Sequence, residues 1–523
     1  MVEQAYKRSA APGPDSVFVQ LESIAMFVAA HEWTSPREPA SRPSPVRDLL
    51  PTPHDGGTRE LYHRLADQAP AEAARVEASA FLHRALQQAD GEACDLPGSP
   101  QELTDWMHNS AQLASAKYRV YLQDRKAGRP RRYFQNRAHA LYFLRAVAPT
   151  KLVDGAWLYG VLAHWQNPRF SGLIATYAEE LGKGRPDKNH VVIYRKLLAR
   201  HGLDASGQLP DSFYTQGVLQ LALGWNAGDF LPELIGFNLG YEQLPLHLLI
   251  TAYELNELGI DPYYFTLHVT VDNADTGHAK RAVQAVLDML PQLGDSAGFW
   301  RRVRNGFKLS NAGIGTTQVI AGFDLEQEVI SIFSRKSVTG HGAHSGYCRV
   351  AGRSVNDWLA EPENIPGFLA ALEQAGWLRP GAPVHESRFW KQLQGEKAEM
   401  FGVFSPYELQ LIHDWIRGNA SADGQAYDEP AVLAGRQCAT FRANTRLAQQ
   451  QPGGCVADDY PLAGPEDLPD GLLDPDLQAL RAQMAAAVCP RQKLQRLVQA
   501  MSPACHWTPA GLYATRRFLR LSA

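Results

Sequence analysis

The sequence predicts an all-α protein, and three observations carry that expectation. Between residues 59 and about 335, apolar residues recur at helical spacing in long segments rich in Ala, Leu and Glu. Gly and Pro fall between these segments and not inside most of them. No run of strand-type alternation interrupts the series.

The elements follow in order. Residues 1–58 hold one amphipathic stretch, VFVQLESIAMFVAAHEW, and then a Pro/Ser/Arg-rich arm. Residues 59–335 form the helical domain. Its segments include ELYHRLADQAPAEAARVEASAFLHRALQQA, RRYFQNRAHALYFLRAV, APTKLVDGAWLYGVLAHW and HVVIYRKLLARHG. The longest, DFLPELIGFNLGYEQLPLHLLITAYELNELG, is expected to be one helix kinked at Pro245. Residues 336–523 change texture, with Gly- and Ser-rich turns between short helices, a linker at 450–475 and a final helix pair at 476–520. This C-terminal stretch is expected to be an accessory region or lid, one that the helical domain can lose at about residue 335 if the remaining core stays soluble.

Composition narrows the function classes. Over 523 residues, hydrophobic side chains make up 45% and charged ones 20%, an ordinary globular balance. A net charge of −4 gives no field for nucleic acid. The six cysteines, at 94, 348, 438, 455, 489 and 505, have no CxxC or zinc-ribbon spacing and read as reduced thiols of a cytoplasmic protein. Neither a signal peptide nor an 18-residue apolar span is evident, so no membrane partner is expected. A homodimer is left open.

Three neighbouring segments collect metal-type ligands: Glu179, Glu180 and His190; Glu233 and Glu242; and His268, Asp272, Asp275 and His278. A set of Glu, Asp and His without thiolate suits iron or manganese. Helical bundles hold two such metals by projecting carboxylates and imidazoles inward. His268 and Asp272, four residues apart, share a helix face. On a continuous helix His278 falls about 80° off that stripe. Glu233 lies about 180° from Glu242 and reads as a charge in the first helical turn. Asp154, in KLVDGAWL, is an extra carboxylate that either ligates or orients a ligand.

The order of these motifs resembles the heme-oxygenase-like diiron oxidases and oxygenases, the iron-containing redox enzymes. EELGKGRPDKNHVVIYRKLL looks like the first ligand segment, LGYEQLP like the second, and GIDPYYFTLHVTVDNADTGH like the third. The resemblance covers roughly residues 105–300. It implies a heme-oxygenase-like bundle with Glu180, His190, Glu242, His268, Asp272 and His278 as ligands. The third motif departs from the usual HxxxDxxH, because Asp275 stands where the last His is expected and His278 follows three residues later. An imidazole fits the family better, and Gly277 makes a local distortion cheap. His278 is therefore favoured over Asp275 as the last ligand.

The implied cofactor is a pair of non-heme irons with O2 as co-substrate. The implied chemistry is oxidation of a small organic substrate, such as an amino acid or a derivative in a biosynthetic pathway, by N-oxygenation, desaturation or C–C cleavage. Tyr241, Tyr263, Tyr264 and Phe265 are candidate pocket walls. Two other readings stay open: a heme-binding helical oxygenase, and a non-catalytic scaffold with a buried polar network. His341 and His344 in TGHGAHSG lack a nearby third ligand, and no phosphate loop or nucleophile elbow is present.

Overall fold

The computed structural model describes residues 57–204, 209–271, 277–395, 398–418 and 473–522. The arm and its preceding helix, expected within 1–58, lie outside them apart from the last two residues, and so does the expected linker at 450–475 except for 473–475. The all-α expectation holds. The first helices are α1 (Thr58–Leu65), α2 (Glu72–Asp90), α3 (Leu103–Lys126) and α4 (Arg137–Ala146). The site-bearing series continues with α5 (Ser171–Glu180), α6 (His190–Arg200), α7 (Thr215–Trp225), α8 (Leu231–Tyr241), α9 (Leu246–Glu257), α10 (Tyr263–Val271), α11 (His278–Met289) and α12 (Ser296–Leu309). Further on come α13 (Leu325–Gly340), α14 (Pro406–Arg417), α15 (Pro475–Ala486), α16 (Pro490–Ala500) and α17 (Pro509–Ser522). A two-residue hairpin, Arg349–Val350 against Arg353–Ser354, supplies the strands seen among the described residues. None of the described helices is long and apolar enough to cross a membrane.

Local chemistry explains the helix ends. Asn189 caps α6 by accepting from Val192 N–H at 3.0 Å. Ser405 and Glu408 form a capping box on α14. Along α11 the residues His278, Ala279, Ala282, Val283, Ala285, Val286 and Met289 are buried, which is the stripe expected of a helix packed on one face. Helices α8 and α12 pack with their backbones touching. A Cβ on Gly236 would stand 1.8 Å from the Val303 carbonyl oxygen, and one on Gly306 would stand 2.0 Å from that of Glu233.

The structure corrects the sequence-based boundaries in two places and bears on a third, and each matters for the site. First, APTKLVDGAWLYGVLAHW is not one helix. A helical turn at Ala148–Lys151 ends before Gly155 at φ +79°, and Ala156–His164 is a 3₁₀ helix. Second, Pro245 breaks its segment outright and does not merely kink it. Pro245 has an extended ψ of 147° and caps α9, while Glu242 closes α8 with its N–H on Asn238 O. Third, residues 263–282 do not form a single helix. Tyr263–Val271 is helical, residues 272–276 lie outside those described, and a helix begins at His278 after an extended Gly277 (φ −87°, ψ −162°), the place where the sequence allowed a local distortion.

The C-terminal helices number three where a pair was expected, and they pack on the ligand-bearing helices. Asp414 on α14 accepts from Ala138 N–H at 2.8 Å and so caps α4 from across the chain. The Tyr177 hydroxyl on α5 donates to Met501 O at 2.6 Å. Asn189 reaches His506 Nδ1 at 3.2 Å and donates to His506 O at 3.3 Å. Gly184 lies so close to α17 that a Cβ there would stand 2.5 Å from Leu512 O. The tail therefore braces the turn between Glu180 and His190, so the C-terminal region touches the segment that carries two of the candidate ligands.

Candidate metal centre

Six described side chains meet in the core. Asp154 sits in the break before Gly155, Glu180 ends α5, His190 starts α6, Glu242 lies in the α8–α9 break, His268 is on α10 and His278 starts α11. All six are under a tenth exposed. Their donor atoms form two groups. Asp154, Glu180, His190 and His268 make the first, and Glu180, Glu242 and His278 the second; within each group the atoms lie within 4.8 Å of one another.

Glu180 belongs to both groups, and its two oxygens point to different halves. Oε2 is 2.6 Å from His190 Nδ1, while Oε1 is 3.3 Å from His278 Nδ1. In the first half, Asp154 Oδ2 lies 3.5 Å from His190 Nδ1 and 3.3 Å from His268 Nε2. In the second, Glu242 Oε2 lies 3.0 Å from His278 Nδ1.

The imidazoles are oriented by groups outside the cluster. His268 Nδ1 is 2.8 Å from Tyr264 O. A carbonyl can only accept, so Nδ1 carries the proton and Nε2 presents its lone pair to the cluster. The Tyr264 hydroxyl donates to Asp154 Oδ2 at 2.5 Å. His278 Nε2 is 2.9 Å from Glu179 Oε2, and Glu179 is itself held by Arg281 at 2.6 Å and Lys183 at 3.2 Å. Nε2–H therefore donates to Glu179, which leaves Nδ1 as the inward donor. Glu179 was counted among the acidic residues of the sequence, but its role had no local signal. Arg281, three residues after His278, is the only hint, and it means nothing until α5 and α11 are known to be neighbours.

Two observations test whether these residues suit metal. Another buried carboxylate, Glu254, is satisfied in the usual way, by the Tyr121 hydroxyl at 2.7 Å and the N–H groups of Tyr133 and Phe134 at 3.0 and 2.9 Å. Glu180 instead faces imidazole nitrogens. In addition, His190 Nδ1 lies close to oxygens of Glu180 and Asp154, yet neither approach has hydrogen-bond geometry. Buried carboxylates need a counter-charge, and a hard-to-intermediate divalent ion held by them and by the imidazole nitrogens would supply it. The donor set fits.

The other candidates from the sequence fall elsewhere. Glu233 pairs with Arg302 at 2.6 Å on the α12 side, because half a helical circuit separates it from Glu242. Asp272 and Asp275 lie outside the described residues. His341 Nδ1 meets Asn356 O at 3.2 Å in an exposed turn, away from the cluster. Asp154, ranked behind six others in the sequence, stands in the first donor group. The chain reaches it through Gly155, whose positive φ turns the backbone and whose missing side chain makes room. A Cβ there would stand 2.9 Å from Glu180 Cβ. Gly155→Ala is therefore expected to cost about 1–3 kcal/mol in a thermal melt and to weaken iron binding by displacing Glu180. An unchanged iron affinity would mean that this contact does not position Glu180.

Residues 141–309 match the iron-containing redox enzyme family. That is the heme-oxygenase-like family the ligand order resembles, and the matched span holds every described donor from Asp154 to His278. No curated protein and no solved structure matches the chain. An iron-containing redox enzyme needs a buried cluster of this kind, and the match supports an oxidoreductase.

Electrostatics adds a consequence for metal uptake by this cluster. Burial disfavours a charged His190, but the Glu180 carboxylate beside it, with Asp154, outweighs burial and lifts it to about 10. Burial would raise Glu180 and Asp154. The His190 charge and imidazole contacts hold Glu180 below its ordinary value, and Lys151 with His190 and His268 does the same for Asp154. At pH 7 the metal-free chain thus carries a proton on His190, which a metal must displace. Iron affinity should rise about tenfold per pH unit from pH 6 to 9, and fall as the pH is lowered. Calorimetry in two buffers of different ionisation enthalpy checks it. A pH-independent affinity with no proton release would show that His190 is already neutral.

Proposed function

We propose that this chain is a non-heme diiron oxidase or oxygenase that activates O2 to oxidise a small organic substrate. The observation that carries the reading is the sharing of Glu180 between two donor groups, one oxygen to each. Two ferrous ions held by these side chains would supply the electrons that reduce O2. The protein's own part is to hold the donors and shape a dry space beside them. Asp154, Glu180 and His190 serve one half, with His268 fixed by Tyr264 O. Glu180, Glu242 and His278 serve the other, with His278 fixed by Glu179.

A cavity of about 280 Å³ opens on this cluster, with Asp154, Glu180, Glu242 and His268 in its wall. Trp157, Tyr241, Phe143 and Phe265 supply apolar surface. Tyr241 and Phe265 are thus pocket walls as the sequence suggested. Tyr264 instead packs against Asp154, and Tyr263 is 42% exposed with its hydroxyl on Asp187 O. The volume lies at the low end for ligand pockets and suits a small substrate. A heme held by one histidine would leave several buried carboxylates without a counter-charge.

The test is anaerobic Fe(II) reconstitution of the full chain, with iron counted before O2 is admitted and the visible spectrum followed afterwards. About two irons per chain and a transient oxygen-dependent absorption are expected. A stoichiometry of one, an intense Soret band, or no uptake at all would each defeat the reading.

A further inference from the structure

The cavity contains a cation that the metal centre does not use as a ligand. Lys151 ends the helical turn Ala148–Lys151, three residues before Asp154, and is half-buried in the cavity wall. Among the described residues it makes no ion pair. Its Nζ stands 5.5 Å from the centroid of the Tyr264 ring, the contact it has in place of a carboxylate. Its charge is felt by both Asp154 and His247.

Two more polar groups line the same cavity. Thr251 is 1% exposed, and its hydroxyl has no hydrogen-bond partner among the described residues. A buried hydroxyl left unpaired costs about 1–3 kcal/mol, which a ligand oxygen would relieve. His247 lies one helical turn before it on the same face of α9. Burial, with the Lys151 charge, pushes His247 down to about 4, so it is neutral at pH 7 and adds a hydrogen bond without a second charge. One cation and two neutral hydrogen-bonding groups match a single carboxylate better than a phosphate, whose second charge would go unanswered. The acidic cluster repels an anion in the metal-free chain, so the cation side of the cavity is the place where an anion is best received.

We propose that Lys151, with Thr251 and His247, forms a carboxylate subsite that holds a small monocarboxylate by its acid group, apart from the metal donors, so that its carbon chain faces the cluster. The proposal rests on the diiron reading for what happens to that chain, but not for the binding itself.

The probes are hexanoate and its neutral counterpart hexanamide, titrated calorimetrically into the full-length Fe(II)-loaded protein without O2. Wild type should prefer hexanoate by about tenfold, as one charge-assisted contact implies. In Lys151→Met, or in Lys151→Gln should that variant not fold, the preference should shrink below about threefold while iron per chain stays at the wild-type level. Lys151→Arg should keep it. A preference that survives in Lys151→Met overturns the proposal, because the carboxylate is then held by the metals. Loss of iron in Lys151→Met also overturns it, because Lys151 then serves only to neutralise the cluster. Absence of any hexanoate preference in wild type overturns it too. If the wild-type chain takes up no iron, the diiron reading fails separately. The same titrations on the metal-free chain then decide the subsite.

Discussion

On the diiron reading, replacing Glu180 by alanine is expected to empty both donor groups, from about two irons per chain to about none. Each of the other described donors belongs to one group, but Glu180 belongs to both, with Oε2 toward His190 and Oε1 toward His278. Removing it deprives the first half of its closest oxygen and the second of one of its two described carboxylates. His190 and His278 each lose one of the carboxylates facing them. The controls are His190→Ala and His278→Ala, each of which should loosen one iron and retain the other more strongly. Iron per chain, with circular dichroism to confirm the helices, measures all three. If Glu180→Ala keeps one tightly bound iron, Glu180 would serve one donor group alone and the sharing read from its two oxygens fails.

The helices themselves were legible because apolar spacing and Gly/Pro punctuation are local signals. The order Glu180, His190, Glu242, His268 was legible for a related reason, since each stands next to a recognisable turn or apolar run. What could not be read was the way the chain breaks. An ideal helix through residues 263–282 places His278 about 80° from the His268 stripe. The structure removes that conflict by starting a helix at His278 after an extended Gly277, so His278 is placed by its own helix's packing, as a distortion at Gly277 allows. Likewise Glu242 seemed to need a helix kinked at Pro245, and it sits instead in a gap between two helices.

Asp154 and Glu179 were missed or ranked low for a different reason. Their partners are distant in sequence: Tyr264 and His268 for Asp154, His278 and Arg281 for Glu179. No local period records such pairs. Glu233 shows the converse. It is buried, acidic and near Glu242 in sequence, yet Arg302 neutralises it. A buried carboxylate signals that a partner exists and does not say whether that partner is a metal.

Deleting residues 487–523 is expected to abolish iron binding, even though the deletion removes none of the donors. Helices α16 and α17 bury Leu494, Leu497, Leu512 and Phe518, and Met501 just after α16 is buried with them. Full burial of such side chains contributes about 1.5–3 kcal/mol each. Part of this is packing between the tail helices themselves, but the remainder is a large share of the ~5–15 kcal/mol that stabilises a typical domain. The loss would fall on the turn between Glu180 and His190. Tyr177, one turn before Glu180, would lose Met501 O; Asn189, which caps the helix that His190 begins, would lose His506; and Gly184 would lose the backbone it packs against. Donors set by buried hydrogen bonds hold a metal only while those bonds fix their angle. Asn189→Ala in the full chain separates positioning from global collapse. It removes the α6 cap and the His506 contact at a cost of about 0.5–2 kcal/mol and leaves the tail in place. Iron affinity should fall in that variant while its far-ultraviolet dichroism stays helical. A soluble chain ending at residue 486 that still takes up about two irons would show that the tail merely covers the bundle and does not hold the ligand turn.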